Sequence, residues 1–102
     1  MTLVVEVFAI ASVDAAGSLI GDALNVTAIT QPGTGIYDID LENTAGPEEL
    51  STFVTARSSA QISSSWEPIN SGATLRISLF DSAGNPVDND FDFLTYRITD
   101  VV

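Results

Sequence analysis

The sequence predicts an all-β fold, an antiparallel sandwich of short strands with little or no helix, and three observations carry that expectation. Apolar and polar residues alternate with a period of two, most cleanly at Ile36-Tyr37-Asp38-Ile39-Asp40-Leu41. Clusters of Gly, Pro, Asn, Asp and Ser interrupt such segments at short intervals, as turns between strands require. No segment keeps a helical period for more than about one turn. At 102 residues the chain is long enough for one domain, residues 1–102, with a single modest core.

Residues 3–11 are β-branched and aromatic and form the first expected strand. Strict alternation sets Val5, Val7, Ala9 and Ala11 on one side and Val4, Phe8 and Ile10 on the other, so both sides are apolar. An antiparallel strand with a solvated face alternates apolar with polar, so this one is expected to have something packed on each side. Asp14-Ala15-Ala16-Gly17 reads as a turn, and residues 18–21 as a brief extended piece. Residues 24–30 are the next strand, with Leu24, Val26 and Ala28 opposed to Asn25 and Thr27. Gln31-Pro32-Gly33-Thr34-Gly35 turns it into residues 36–41 as a hairpin, with Gly33 and Gly35 free to take positive φ. Tyr37, Ile39 and Leu41 then point to the core, and Ile36, Asp38, Asp40 and Glu42 away from it.

Residues 43–49 read as a loop in which Pro47-Glu48-Glu49-Leu50 suits one helical turn. Residues 53–57 form a fourth strand, and residues 60–66 a Ser-rich one near an edge. Residues 67–72 read as a turn. Residues 73–80 alternate again, with Leu75, Ile77 and Leu79 inward and Thr74, Arg76 and Ser78 outward. Residues 81–87 carry dense turn chemistry, and residues 91–98 are the last strand, apolar on both sides around Phe93 and Tyr96.

Composition narrows the function. Fourteen carboxylates against three arginines (Arg57, Arg76 and Arg97), with no lysine, give a net charge of −11, which repels nucleic acid and anionic lipid. That charge also keeps an apolar β-protein in solution, since the hydrophobic fraction is 45%. No apolar run approaches the roughly 20 residues of a spanning helix, so membrane insertion is not expected. Residues 3–11 are broken by Glu6 and are not preceded by Lys or Arg, so they do not read as an export signal. High apolarity without a membrane segment points to burial against other copies.

Candidate sites are few. Ser63-Ser64-Ser65 has no base to activate a nucleophile, because the chain has no His, Lys or Cys, and no enzymatic activity is expected. Asp88-Asn89-Asp90-Phe91-Asp92 opens like a calcium loop, but an EF-hand needs Gly and Glu where Phe93 and Thr99 stand. A looser oxygen-ligand calcium site remains as a candidate if Asp81, Asp88 and Asp90 converge at one loop end. Calcium is the one candidate cofactor. Asp38 and Asp40 lie about 6–7 Å apart on one exposed strand face, with no cleft for glycoside chemistry. Trp66, next to Glu67-Pro68, is a candidate to stack on a sugar ring or to plug the end of the sandwich. Asn25-Val26-Thr27 spells a glycosylation sequon inside a predicted strand and is set aside. The arginines are expected in ion pairs with carboxylates such as Asp38, Asp40 or Glu6.

Two stretches add a family resemblance. The hairpin Val26-Thr27-Ala28-Ile29-Thr30-Gln31-Pro32-Gly33-Thr34-Gly35-Ile36-Tyr37-Asp38-Ile39 resembles the strand, Gly turn, Gly-x-Tyr-x-hydrophobic pattern of C1q/TNF-like jelly-roll heads, including those of phage and bacterial fibres. The finish is similar as well: Leu75 to Phe80, then Asp81-Ser82-Ala83-Gly84-Asn85-Pro86-Val87-Asp88, then Phe91-Asp92-Phe93-Leu94. The resemblance covers residues 3–98. It implies an antiparallel jelly-roll sandwich that assembles as a homotrimer, with first and last strands against the threefold axis. The two-sided apolarity of those strands asks for the same thing independently. Val5, Val7, Phe8, Phe91, Phe93 and Tyr96 are accordingly the expected interface residues. The implied role is a non-enzymatic structural or adhesive head, extracellular or particle-associated, with a glycan or protein receptor as partner. Such heads follow a stalk, so the resemblance implies either a trimmed stalk or a free-standing trimer. The alternative is a monomeric carbohydrate- or calcium-binding sandwich.

Overall fold

The computed structural model describes residues 2–44 and 50–101, and the side chains of residues 3–44 and 50–98. Seven strands follow one another: β1 (Thr2–Val13), β2 (Val26–Gly33), β3 (Ile36–Leu41), β4 (Leu50–Ala56), β5 (Ser63–Ile69), β6 (Thr74–Phe80) and β7 (Phe91–Val101). They form two antiparallel sheets, a first of order β1-β7-β4 and a second of order β2-β3-β6-β5, packed face to face. The chain is an all-β sandwich. It changes sheet between β1 and β2, β3 and β4, β4 and β5, and β6 and β7, while β2-β3 and β5-β6 are hairpins.

The core lies where the two inward faces meet. The second sheet supplies Tyr37, Ile39 and Leu41 from β3 and Leu75, Ile77 and Leu79 from β6, all buried, as the alternation predicts. The first sheet answers with Ala9, Ala11 and Val13 from β1 and Phe91 and Phe93 from β7. Small residues on β1 leave room for the two phenylalanines, and Tyr37 meets Phe91 edge-on at 4.8 Å between ring centroids. The buried Thr52 and Thr95 hydroxyls satisfy each other at 2.9 Å.

The hairpin turn depends on one glycine. Gly35 has φ of +71°, and a Cβ there would lie 2.7 Å from the Leu79 carbonyl oxygen and 2.8 Å from the Val87 nitrogen. Gly33, which the sequence also offers for this purpose, is not among the positive-φ residues.

Four expectations are corrected. A β-bulge in β1 between Val7 and Ala9 takes Phe8 out of the ladder, so the side chains before it reverse relative to those after it. Val5 and Val7 therefore face outward with Ile10, while Ala9 and Ala11 face the core. A second bulge, between Val26 and Ala28, leaves Ala28 exposed and turns Ile29 toward the core. Leu24 belongs to no strand; it makes an isolated bridge to Ile10, and Leu19 bridges Val13, so residues 19–24 run along the outer edge of β1. Finally, β5 continues through Pro68 to Ile69, and the turn begins only at Asn70, with φ values of 54°, 57° and 86° at Asn70, Ser71 and Gly72. Pro68 is tolerated because β5 is an edge strand. The helical turn expected around residues 47–49 lies outside the described residues, and Leu50 already belongs to β4.

Candidate functional site

The two outer faces of the sandwich differ in chemistry. On the second sheet, Asp38 of β3 stands opposite Arg76 of β6, and Arg76 stands opposite Glu67 of β5. Arg76 binds both Asp38 oxygens, at 2.8 and 2.9 Å, and Thr74 donates to Asp40 at 2.9 Å. That face is polar and suited to water. The outer face of the first sheet carries Leu3, Val5, Val7 and Ile10 from β1, and Leu94, Tyr96 and Ile98 from β7. Phe53, on β4, joins them opposite Leu94. Val5 is 65% exposed, Phe53 62%, Leu3 61% and Val7 53%. Phe53 stacks on Tyr96 at 5.6 Å, so two large rings lie side by side on the surface.

Scattered apolar residues are ordinary on a protein surface; a contiguous face running along three strands is not. Within it a groove of about 450 Å³ is lined by Ile10, Phe53, Leu94, Ser12, Thr55 and Asp92, among others. The groove ends at an ion pair. Arg57 binds both Asp92 oxygens, at 2.9 and 2.8 Å, and Ser12 donates to the same carboxylate. The Arg57 hydrogen bonds, and then that of Ser12, hold the Asp92 carboxyl below the usual carboxylate range.

The expected interface set divides between inside and outside. Val5 and Val7 face outward, and the half-buried Tyr96 lies on the same face. Phe91 and Phe93 are inside the sandwich at 0% and 2% exposure, and Phe8 packs against the core with the Arg97 guanidinium 5.5 Å above its ring. Phe53, Ile10, Leu94 and Ile98 belong to the outer face although the sequence reading did not single them out. Phe53 carries no local signal, because β4 lacks the charged residues that mark a solvent side elsewhere.

At the end of the sandwich where β2 turns into β3, the buried Tyr37 hydroxyl donates to the Ala15 carbonyl at 2.8 Å and accepts from the Asn89 amide at 3.3 Å. Burial, reinforced by the charges of Asp88, Asp14 and Asp90, pushes its pKa up from the ordinary phenol value. The carboxylates expected to gather around calcium are each occupied with backbone. Asp81 accepts from Ala83 and Asn85 within its own turn, Asp88 from Gly35 and Gln31, and Asp90 from Ala15. Among the described residues no group of three metal-ligating side chains occurs, so Asp81, Asp88 and Asp90 do not form the expected set. Each closes a turn or ties two loops together.

Trp66 lies within β5 opposite Ile77 and packs, half-buried, against the core rather than standing out from a loop. Arg76 and Arg97 pair with Asp38 and Glu6 as expected, and Arg57 takes Asp92. Asn25, set aside as a sequon, is a strut. It takes φ of 61°, donates to the Phe8 carbonyl at 3.1 Å beside the β1 bulge and to the Asn43 carbonyl at 3.2 Å, and accepts from the Asn43 amide.

The chain matches no protein-family profile, no curated protein and no solved structure.

Proposed function

We propose that this chain is a non-enzymatic structural or adhesive module that assembles with its own copies, as a homotrimer, through the outer face of the first sheet. The observation that carries this reading is the contrast between the two flanks: one polar, with the Asp38–Arg76 ion pair and the Thr74–Asp40 hydrogen bond, the other lined by Leu3, Val5, Val7, Ile10, Phe53 and Ile98. Burying one such side chain contributes about 1.5–3 kcal/mol, and several together offset the cost of association. The apolar flank is also where chains at −11 can meet, since among the described residues its carboxylate is Asp92, at one end and paired with Arg57.

The jelly-roll reading belongs with this proposal, and the strand order supports it. A jelly roll wraps an antiparallel ribbon into two Greek keys, so that strands pair in nested fashion. Here β1 pairs with β7 and β3 with β6, with β4 beside β7 and β5 beside β6. Each sheet then ends early, where β5 runs directly into β6. A C1q/TNF-like head on a phage-like or cell-surface fibre is the setting this reading implies, outside the cell or on a particle.

Light scattering tests it. The expected mass is three times the 10.7 kDa chain or a multiple of that, and Val7→Asp is expected to abolish the threefold contact while leaving the β-rich circular dichroism spectrum unchanged. A monodisperse monomer that is stabilised by calcium or a sugar would replace this reading with a monomeric binding module.

A further inference from the structure

The four sheet edges are not treated alike. An exposed edge strand templates pairing with another chain, and monomeric proteins blunt it with proline, charge, a bulge or a covering segment. In the second sheet, β2 carries Pro32 and two register irregularities, and β5 carries Glu67 and Pro68. In the first sheet, β1 carries Glu6 and the bulge, and its edge is covered at Ile10, Ser12 and Val13 by residues 19–24. The remaining edge is β4, Leu50-Ser51-Thr52-Phe53-Val54-Thr55-Ala56, which has no proline, no charged residue and no bulge. Among the described residues it hydrogen-bonds along its length to β7 alone.

β4 is also complementary to itself. A twofold axis through Phe53 in an antiparallel pair places Leu50 opposite Ala56, Ser51 opposite Thr55, Thr52 opposite Val54, and Phe53 opposite its own copy. Residues that face the core then meet residues that face the core, and outward hydroxyls meet outward hydroxyls. The two exposed Phe53 rings lie side by side, each already stacked on a Tyr96. No like charges confront one another across this pair.

We propose that the open edge of β4 is a second self-association site, distinct from the face contact although Phe53 borders both, at which two copies join edge to edge about a twofold axis and merge their first sheets into one continuous sheet. The occupant is a second copy of this chain. Such an isologous contact closes on itself as a pair. Combined with a threefold contact on the face, it links trimers to one another.

The chain has no cysteine, so an introduced thiol reports cleanly. Directly opposed residues of an antiparallel pair lie about 4.5–5.5 Å apart at Cα, within disulfide reach. Phe53→Cys in a Val7→Asp background, which removes the face contact, is expected to oxidise to a covalent dimer of twice 10.7 kDa, whereas Ser64→Cys on the β5 edge does not. Chains bearing Ser51→Lys with Thr55→Lys, or Ser51→Glu with Thr55→Glu, are each expected to lose the pair, and an equimolar mixture of the two to regain it as a mixed dimer. Cross-linking of Phe53→Cys no faster than of Ser64→Cys, or no recovery on mixing, overturns the proposal. Equal masses for the natural chain and Val7→Asp would sink the face contact while leaving the edge contact standing, so the two readings fail separately.

Discussion

Gly35 is the residue on which the β2-β3 hairpin turns, because its amide reaches Asp88 at 2.7 Å while its carbonyl accepts from Leu79 at 2.8 Å. No side chain fits between those contacts, and φ of +71° disfavours one in any case. Gly35→Ala is therefore expected to cost at least about 1–3 kcal/mol, read as a lowered urea midpoint. Asp92 supplies a pH-dependent contribution. Its carboxyl is held low by Arg57 and Ser12, so the stabilisation is present above the ordinary carboxylate value of about 4 and is lost as pH falls through the folded value. Urea midpoints measured from pH 6 downward (roughly spanning that carboxylate range) are expected to fall less steeply for Asp92→Asn than for the natural chain. Identical slopes would mean that the exposed pair contributes nothing.

At the scale of the element, the bulge in β1 does most to shape the surface. One residue taken out of the ladder moves Val5 and Val7 from the core side to the outer face, since each position along a strand alternates sides. Asn25 holds that irregularity in place through the Phe8 carbonyl, and ties it to Asn43 across the neighbouring loop. Asn25→Ala leaves these backbone groups without their partner and puts a Cβ-bearing residue with no local hydrogen bond in the left-handed region. The expected cost is about 1–3 kcal/mol by chemical denaturation. Asn25→Gly keeps the backbone conformation and loses only the side-chain bonds, so it is expected to fall between the two. If both variants match the natural chain, the strut is not what maintains the bulge.

At the scale of the molecule, the sandwich has a wet flank and a dry one, and the last strand contributes to both the core and the dry flank. Substitutions in the core, on the dry flank and on the polar flank consequently have different outcomes. Phe93→Asp buries a carboxylate among Tyr37, Ile77 and their neighbours and is expected to unfold the chain, visible as loss of the β signal in circular dichroism. Val7→Asp, on the outer face, is expected to keep the fold and, if the proposed trimer forms, to lose its mass. Asp38→Asn on the polar flank is expected to change stability by no more than about 1 kcal/mol and to leave the mass seen by light scattering unchanged.

The strands and their inward residues were legible wherever the pattern is local. Tyr37, Ile39 and Leu41, or Leu75, Ile77 and Leu79, need only their own neighbours to declare a face. Local alternation does not reveal the bulge in β1, beside which Asn25 bonds the Phe8 carbonyl, nor that Phe91 and Phe93 of β7 lie on the opposite side from Tyr96. It failed again for Asp81, Asp88 and Asp90, whose carboxylates are each taken up by turn or loop groups that spacing along the chain does not reveal. Thus the amino-acid order by itself determined an acidic all-β chain with more apolar surface than one small core requires. Only the tertiary structure decided which flank carries the surplus and which edge is left open, because both follow from contacts between residues far apart in the chain.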